Sequence, residues 1–109
     1  MNWTIVLYES KRGEKPVETF IKDQSAHAQA KILHLLNLLE QYGVGLGMPH
    51  TKLLAHHIYE LRIRGKEELR IVYCFRKRTI YLLHGFKKQT NKTPTKEITT
   101  AIQRLRTLT

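Results

Sequence analysis

The hydrophobic period changes several times along the chain, and each change marks an element. Trp3-Thr4-Ile5-Val6-Leu7-Tyr8 is β-branched and aromatic and runs into the charged Glu9-Ser10-Lys11-Arg12-Gly13, which predicts a first strand. Glu14-Lys15-Pro16 opens a helix, since proline suits a first turn, and Val17, Phe20 and Ile21 form its apolar stripe. That helix ends near Asp23-Gln24-Ser25. Ser25 is placed to cap a second helix from Ala26 to about Tyr42. Ala28, Ile32, Leu35, Leu36, Leu39 and Tyr42 fall on one face of it, and Leu33 and Leu38 widen the stripe. Gly43-Val44-Gly45-Leu46-Gly47-Met48-Pro49 stops this helix. A phosphate loop would follow a strand and precede a helix; this run follows a helix, so it reads as a C-cap and connector.

From His57 the period becomes two. Tyr59, Leu61 and Ile63 alternate with Ile58, Glu60, Arg62 and Arg64, and after the turn Arg64-Gly65-Lys66-Glu67, Leu69, Ile71, Tyr73 and Phe75 alternate with Arg70, Val72, Cys74 and Arg76. A second turn, Arg76-Lys77-Arg78, leads into Thr79 to Phe86, apolar enough for a buried central strand. These are three strands in a meander. Thr93 as N-cap and Pro94 as first residue open a last helix to about Leu105, with Ile98, Ala101, Ile102 and Leu105 on its face. The expected fold is α+β in the order β-α-α-β-β-β-α, a twisted, mostly antiparallel sheet against a helical hairpin and a C-terminal helix, in one domain over 1–109.

Composition narrows the class. With 41% hydrophobic and 26% charged residues, the chain has apolar surface enough to offset the entropy of ordering. No apolar run approaches the ~20 residues of a spanning helix. Cys74 is the single cysteine, so no internal disulfide forms, and Trp3 to Leu7 is too short for a signal peptide. The expectation is a reduced, cytoplasmic protein without a membrane partner. Charge is more informative. The net charge is +10, yet residues 1–50 carry five basic and five acidic side chains, while 51–109 carry fourteen and four. The whole excess lies in the second half, which points to a polyanionic partner.

Strand parity then picks out chemistry. Arg62 and Arg64 share a face of their strand, and Arg70 lies opposite Leu69, Ile71 and Tyr73. If the apolar faces meet the helices, three guanidiniums line an open face, where their forks suit phosphate oxygens. Glu60, Glu67 and Glu68 are the acids available to pair with them instead. Arg70 read this way is a surface side chain whose loss costs about 0.5 kcal/mol. The segment His84-Gly85-Phe86-Lys87-Lys88-Gln89-Thr90-Asn91-Lys92 interleaves aromatic and basic groups, which suits an unstacked base and its phosphates. His84, at a strand end, is a proton-transfer candidate, with His57 a further one. His56-His57 has no cysteine or carboxylate at ligand spacing, so no metal is expected. His27 and His34 read as surface or packing residues. Arg62, Arg70, His84, Lys87 and Lys88 are the catalytic candidates; Lys52, His57, Arg64, Arg76, Lys77, Arg78, Phe86 and Lys92 are expected RNA contacts.

Lys52-Leu53-Leu54, Tyr59-Glu60-Leu61-Arg62, Arg70-Ile71-Val72-Tyr73, Leu82-Leu83-His84-Gly85-Phe86-Lys87-Lys88, Thr93-Pro94, Glu97-Ile98 and Ala101 occur in that order. This series resembles the RelE/ParE superfamily of type II toxin–antitoxin toxins, in its HigB-like, phage-derived branch. The resemblance implies an endoribonuclease acting on messenger RNA, usually on the ribosome, without a metal or other cofactor. The ribose 2′-hydroxyl attacks the adjacent phosphate and leaves a cyclic phosphate and a 5′-hydroxyl. It implies that Arg70 contacts the scissile phosphate, that Arg62 and Lys87 or Lys88 hold family basic positions, and that the partner is a helix-turn-helix antitoxin. Glu60 or Ile58 stands where RelE proper carries a lysine base, and Thr93-Pro94-Thr95 where it carries a tyrosine, so acid and base stay open between His84, Glu60 and His57. Two other readings share the sequence: a ParE-like gyrase inhibitor and a non-catalytic RNA-binding module.

Overall fold

In the computed structural model, which describes residues 2–108, the order is β1 (Thr4–Leu7), α1 (Pro16–Lys22), α2 (Ala26–Tyr42), a 3-10 turn (Gly43–Gly45), β2 (Thr51–Ala55), β3 (Ile58–Ile63), β4 (Leu69–Arg76), β5 (Thr79–Lys87) and α3 (Thr95–Arg106). The sheet has five strands in the order β1-β5-β4-β3-β2, with β1 parallel to β5 and every other pairing antiparallel. The α+β class and the sheet with its hairpin and C-terminal helix are as expected. One strand more is present than the alternation predicts. β2 is five residues long, and its register shifts between Leu53 and Ala55, so no clean period of two marks it.

The helical hairpin forms where the sequence places it. Pro16 starts α1, and the Ser25 side chain accepts the Ala28 N–H at 3.1 Å to cap α2. Gly43 ends α2 at φ +52°, and a Cβ there would sit 2.0 Å from Nε1 of Trp3, so the cap and the indole both require glycine. Ile32, Leu35 and Leu39 of α2 pack with Val17, Leu61, Ile63, Leu69, Ile71, Tyr73, Ile80 and Leu82 into the larger core. Tyr42 and Leu33, expected on this stripe, are exposed. α1 comes closest to the sheet at Gly85, where a Cβ would lie 2.3 Å from the ring of Phe20.

The opposite sheet face is not open. α3 lies across it, and Ala101 packs with Tyr8, Ile58, Val72, Cys74, Leu83 and Phe86 into a second, smaller core. β4 is therefore buried on both faces, from Leu69 to Cys74. A bulge helps: Val72 pairs with His84 and Tyr73 with Leu82, so Leu83 is an extra residue on β5. It turns Leu83 into the α3-side core, while Leu82 stays in the core beneath α1 and α2. The cap of α3 also differs from expectation. Pro94, not Thr93, is the N-cap, because the Thr93 hydroxyl is used elsewhere: it donates to Oε2 of Glu60.

Candidate functional site

The register of β2 to β5 assembles the site. Lys52 pairs with Glu60, Glu60 with Val72 and Val72 with His84; one row further on, Arg62 pairs with Arg70 and Arg70 with Phe86. Paired residues project from the same face, so these two rows stand side by side on the α3 face, beyond the N-terminus of that helix. Arg62, Arg64, Glu68, Arg70, Lys88, Thr90 and Asn91 line a cavity of ≈340 Å³ there.

Two of the lining residues, Arg62 and Arg70, are held by a carboxylate that does not itself line the cavity. Glu60 is 1% exposed. Its Oε1 lies 3.2 Å from Nε of Arg70 and accepts a 3.4 Å hydrogen bond from Nε of Arg62. Arg70 is buried as well. Its Nη1 donates to the Leu69 carbonyl at 2.9 Å and its Nη2 to Oε1 of Glu68 at 3.0 Å. Nε of Arg70 is close to Glu60 but is not aimed at it, and it makes no aligned hydrogen bond. Glu68 also reaches Nη1 of Arg64 at 3.7 Å. The Arg70 hydrogen bond, ahead of every other cause, holds the Glu68 carboxyl below the usual carboxylate range.

The expectation of Arg70 as an exposed, freely offered fork is therefore corrected. Both candidate pairing acids of the same face bind it, and a buried arginine whose carboxylate partner is equally buried is a structural member of the fold. Removing Arg70 leaves the buried Glu60 with Arg62 as its one remaining guanidinium, at a cost of about 3–5 kcal/mol rather than 0.5. The accessible cations are Arg64, Lys88 and the tip of Arg62. Burial pushes the Lys88 ammonium pKa down; Glu60 opposes this, while Arg70, Arg62 and Lys52 reinforce it. Four cations (Arg62, Arg64, Arg70, Lys88) and one carboxylate (Glu68) line the cavity. The surplus is three positive charges around one cavity, an arrangement suited to a phosphate and to charge building up on it.

The remaining sequence candidates separate. Lys87 points the other way: it pairs with Leu69 in register and forms an ion pair with Glu67. The structure thus brings Lys88, and not Lys87, to the cluster. His84 sits about two strand spacings from Glu60, and both ring nitrogens are engaged. Nε2 is 2.8 Å from Oε1 of Glu97, and Nδ1 is 3.3 Å from Nη1 of Arg104, which also donates to the Leu83 carbonyl at 2.8 Å. His84 fastens α3 to the sheet. Phe86 is 6% exposed and stacks on His84, so it has no free face for a base. Arg76, Lys77 and Arg78 form the turn at the far end of β4, six residues or roughly 20 Å from Arg70. There Arg76 donates to the Leu108 carbonyl and Arg78 lies 4.9 Å over the Trp3 ring. His57, at φ +65°, and His56 form the exposed β2–β3 turn, with ring centroids 3.8 Å apart. Lys92 is exposed on the loop before α3. Among the described residues no group of three or more His, Cys, Asp or Glu is placed to hold a metal ion, and no helix is long and apolar enough to cross a membrane.

Glu60 takes the pairing role that the sequence offers it alongside Glu67 and Glu68, whereas the places of Thr93, Thr90 and Asn91 at the site have no individual assignment in the sequence. A signal existed for Glu60 alone, which alternates onto the Arg62 face. The others come from a loop, where no period constrains which way a side chain points.

A family model described as phage-derived protein Gp49-like (DUF891) matches residues 19–106. The chain belongs to this Gp49-like family. It is a family of RelE- and toxin-like proteins, and every residue of the cavity lies within the matched span. No curated protein matches the chain.

Proposed function

We propose that this Gp49-like protein is the toxin of a type II toxin–antitoxin pair and acts as an endoribonuclease on messenger RNA at the ribosome, in the manner of the HigB-like branch. The observation that carries the reading is the convergence of Arg62, Arg64, Arg70 and Lys88 on one cavity with a surplus of positive charge. In the reaction the ribose 2′-oxygen forms a bond to phosphorus and the bond from phosphorus to the 5′-oxygen breaks. The products are a 2′,3′-cyclic phosphate and a 5′-hydroxyl, which takes up a proton. Negative charge gathers on the non-bridging oxygens, and in this reading Lys88 and Arg62 meet it. Arg70 and Glu60 act through Arg62: the carboxylate fixes both guanidiniums, and Thr93 fixes the carboxylate. The partners that go with this reading are a helix-turn-helix antitoxin in the same cytoplasm, the ribosome and its message.

Inducible expression with mapping of messenger RNA 5′ ends tests it. Cleavage phased to codons, with 5′-hydroxyl ends, is the expected result. Intact messages accompanied by DNA damage would replace this reading with gyrase inhibition, and intact messages with normal growth would leave an RNA-binding module.

A further inference from the structure

A second concavity lies on the other side of the end of β3, between α2 and the β3–β4 turn. Two adjoining cavities of ≈440 and ≈550 Å³ share His27, Lys31, Ile63 and Arg64. Their floor is apolar, with Ala30, Leu35, Ile63 and Leu69. On one wall His27, Lys31 and His34 stand at i, i+4 and i+7, a single stripe of α2. Arg64 and Lys66 form the other wall. The one acid lining it, Glu67, is already taken by Lys87. Lys31 bridges the walls by donating to the Arg64 carbonyl at 2.9 Å, and Gly65 leaves it room, since a Cβ there would lie 2.8 Å from Nζ. Arg62 and Arg64 line both this groove and the cavity described above, so the two are continuous around the strand end.

We propose that this groove is a second RNA subsite, which holds the single-stranded nucleotides next to the one that is cleaved; the proposal rests on the ribonuclease reading. An apolar floor flanked by imidazoles accepts an unstacked base, and cations along both rims accept the phosphates on either side of it. An acidic protein segment would use the rim charges but leave the base-sized apolar floor and its continuity with the scissile cavity without a role. His27 and His34, which the sequence leaves as ordinary surface residues, thereby gain a function: flat rings at the depth where a base would sit.

The test uses the full chain and 2′-O-methyl RNA, which lacks the attacking hydroxyl and so cannot be cut. Binding of a dimer and of an octamer is measured against salt concentration for the wild type, for Lys31→Gln combined with Lys66→Gln, for Ala30→Glu and for Lys88→Ala. Thermal melting checks that each variant folds; Ala30 is exposed on α2, so its replacement leaves the core untouched. The wild type binds the octamer more tightly than the dimer. The double variant keeps dimer affinity, loses the octamer's advantage, and shows a log–log salt slope shallower by roughly 1.4, about 0.7 for each lost phosphate contact on single strands. Ala30→Glu loses the same advantage by charge repulsion, and Lys88→Ala weakens both lengths alike. Groove variants that bind the octamer with wild-type affinity and slope overturn the subsite, as does polyglutamate displacing the octamer from the wild type but not from the groove variants. The two readings fail separately. A protein that cuts no unmodified message while its groove variants lose the octamer's advantage keeps the subsite and loses the nuclease; one that cuts while those variants keep the advantage loses only the subsite.

Discussion

The β4–β5 ribbon ends in basic residues at both of its extremities, and the two ends have different roles. At one, Arg76, Lys77 and Arg78 crowd a tight turn; their contacts are a backbone carbonyl and the face of an indole, and among the described residues no carboxylate pairs with them. At the other, Arg62, Arg64, Arg70 and Lys88 come from separate stretches of chain and are tied together by Glu60 and Glu68. The first end has the denser run of charge in sequence; the second is the organised one. Local charge density marks a solvated turn, whereas a site needs cations brought together by register and oriented by acids, here the buried Glu60 and the part-exposed Glu68.

The contrast can be broken by mutation. The largest expected effect is on Arg70→Ala, which takes from the buried Glu60 one of its two guanidinium partners and should lower the free energy of unfolding by about 3–5 kcal/mol in urea titration, while Arg76→Ala stays within about 0.5. Pairing Arg70→Met with Glu60→Leu sharpens the point. Removing both charges should recover much of the loss, because a buried ion pair contributes little net stability against apolar replacements. Equal, small losses for Arg70→Ala and Arg76→Ala would make the two ends alike. Next comes Leu61→Ala, fully buried one residue from Glu60, with a cost of about 2–5 kcal/mol from lost contacts and the cavity left behind. Ser25→Ala should cost about 1 kcal/mol through the lost cap of α2.

The smallest effect is a pH dependence at the organised end. Glu68 titrates below its unfolded value because Arg70 donates to it. A carboxyl lowered in this way stabilises the fold fully above its unfolded pKa, and that contribution disappears as pH falls through the lowered, folded one. Glu68→Gln should therefore flatten the acid limb of a stability–pH curve, most visibly below the usual carboxylate range. An unchanged acid limb would mean that Arg70 does not hold Glu68 in solution.

The helical hairpin and four of the five strands are legible in the sequence, the helices from their period and caps, β3 and β4 from alternation, and β1 and β5 from short β-branched or apolar runs. β2 is not, since a bulge breaks its alternation within five residues. The site is half legible. Alternation puts Glu60, Arg62 and Arg64 on one face, and Arg70 on the matching face of its own strand. It does not say that α3 crosses that face, so Phe86 and Arg70 read as exposed when they are buried. Nor does it give the register past the bulge at Leu83, which hands His84 to Glu97 and Arg104 and leaves Lys88, one residue past the end of β5, beside Glu60. Both misreadings have one origin: periodicity tells which face a side chain takes, and only tertiary packing decides what covers that face.

In the proposed ribonuclease reading, RNA cleavage depends on the organised end of the ribbon and not on the other. Messenger RNA cleavage by Lys88→Ala and by Lys77→Ala in one translation assay tests it most directly, with thermal melting to show that both variants fold. Lys88→Ala should cut on the order of 100-fold more slowly, as expected for a lost charge-stabilising donor, while Lys77→Ala cuts at the wild-type rate. A folded Lys88→Ala protein that cuts as fast as the wild type, or an equal loss in both variants, would contradict the account.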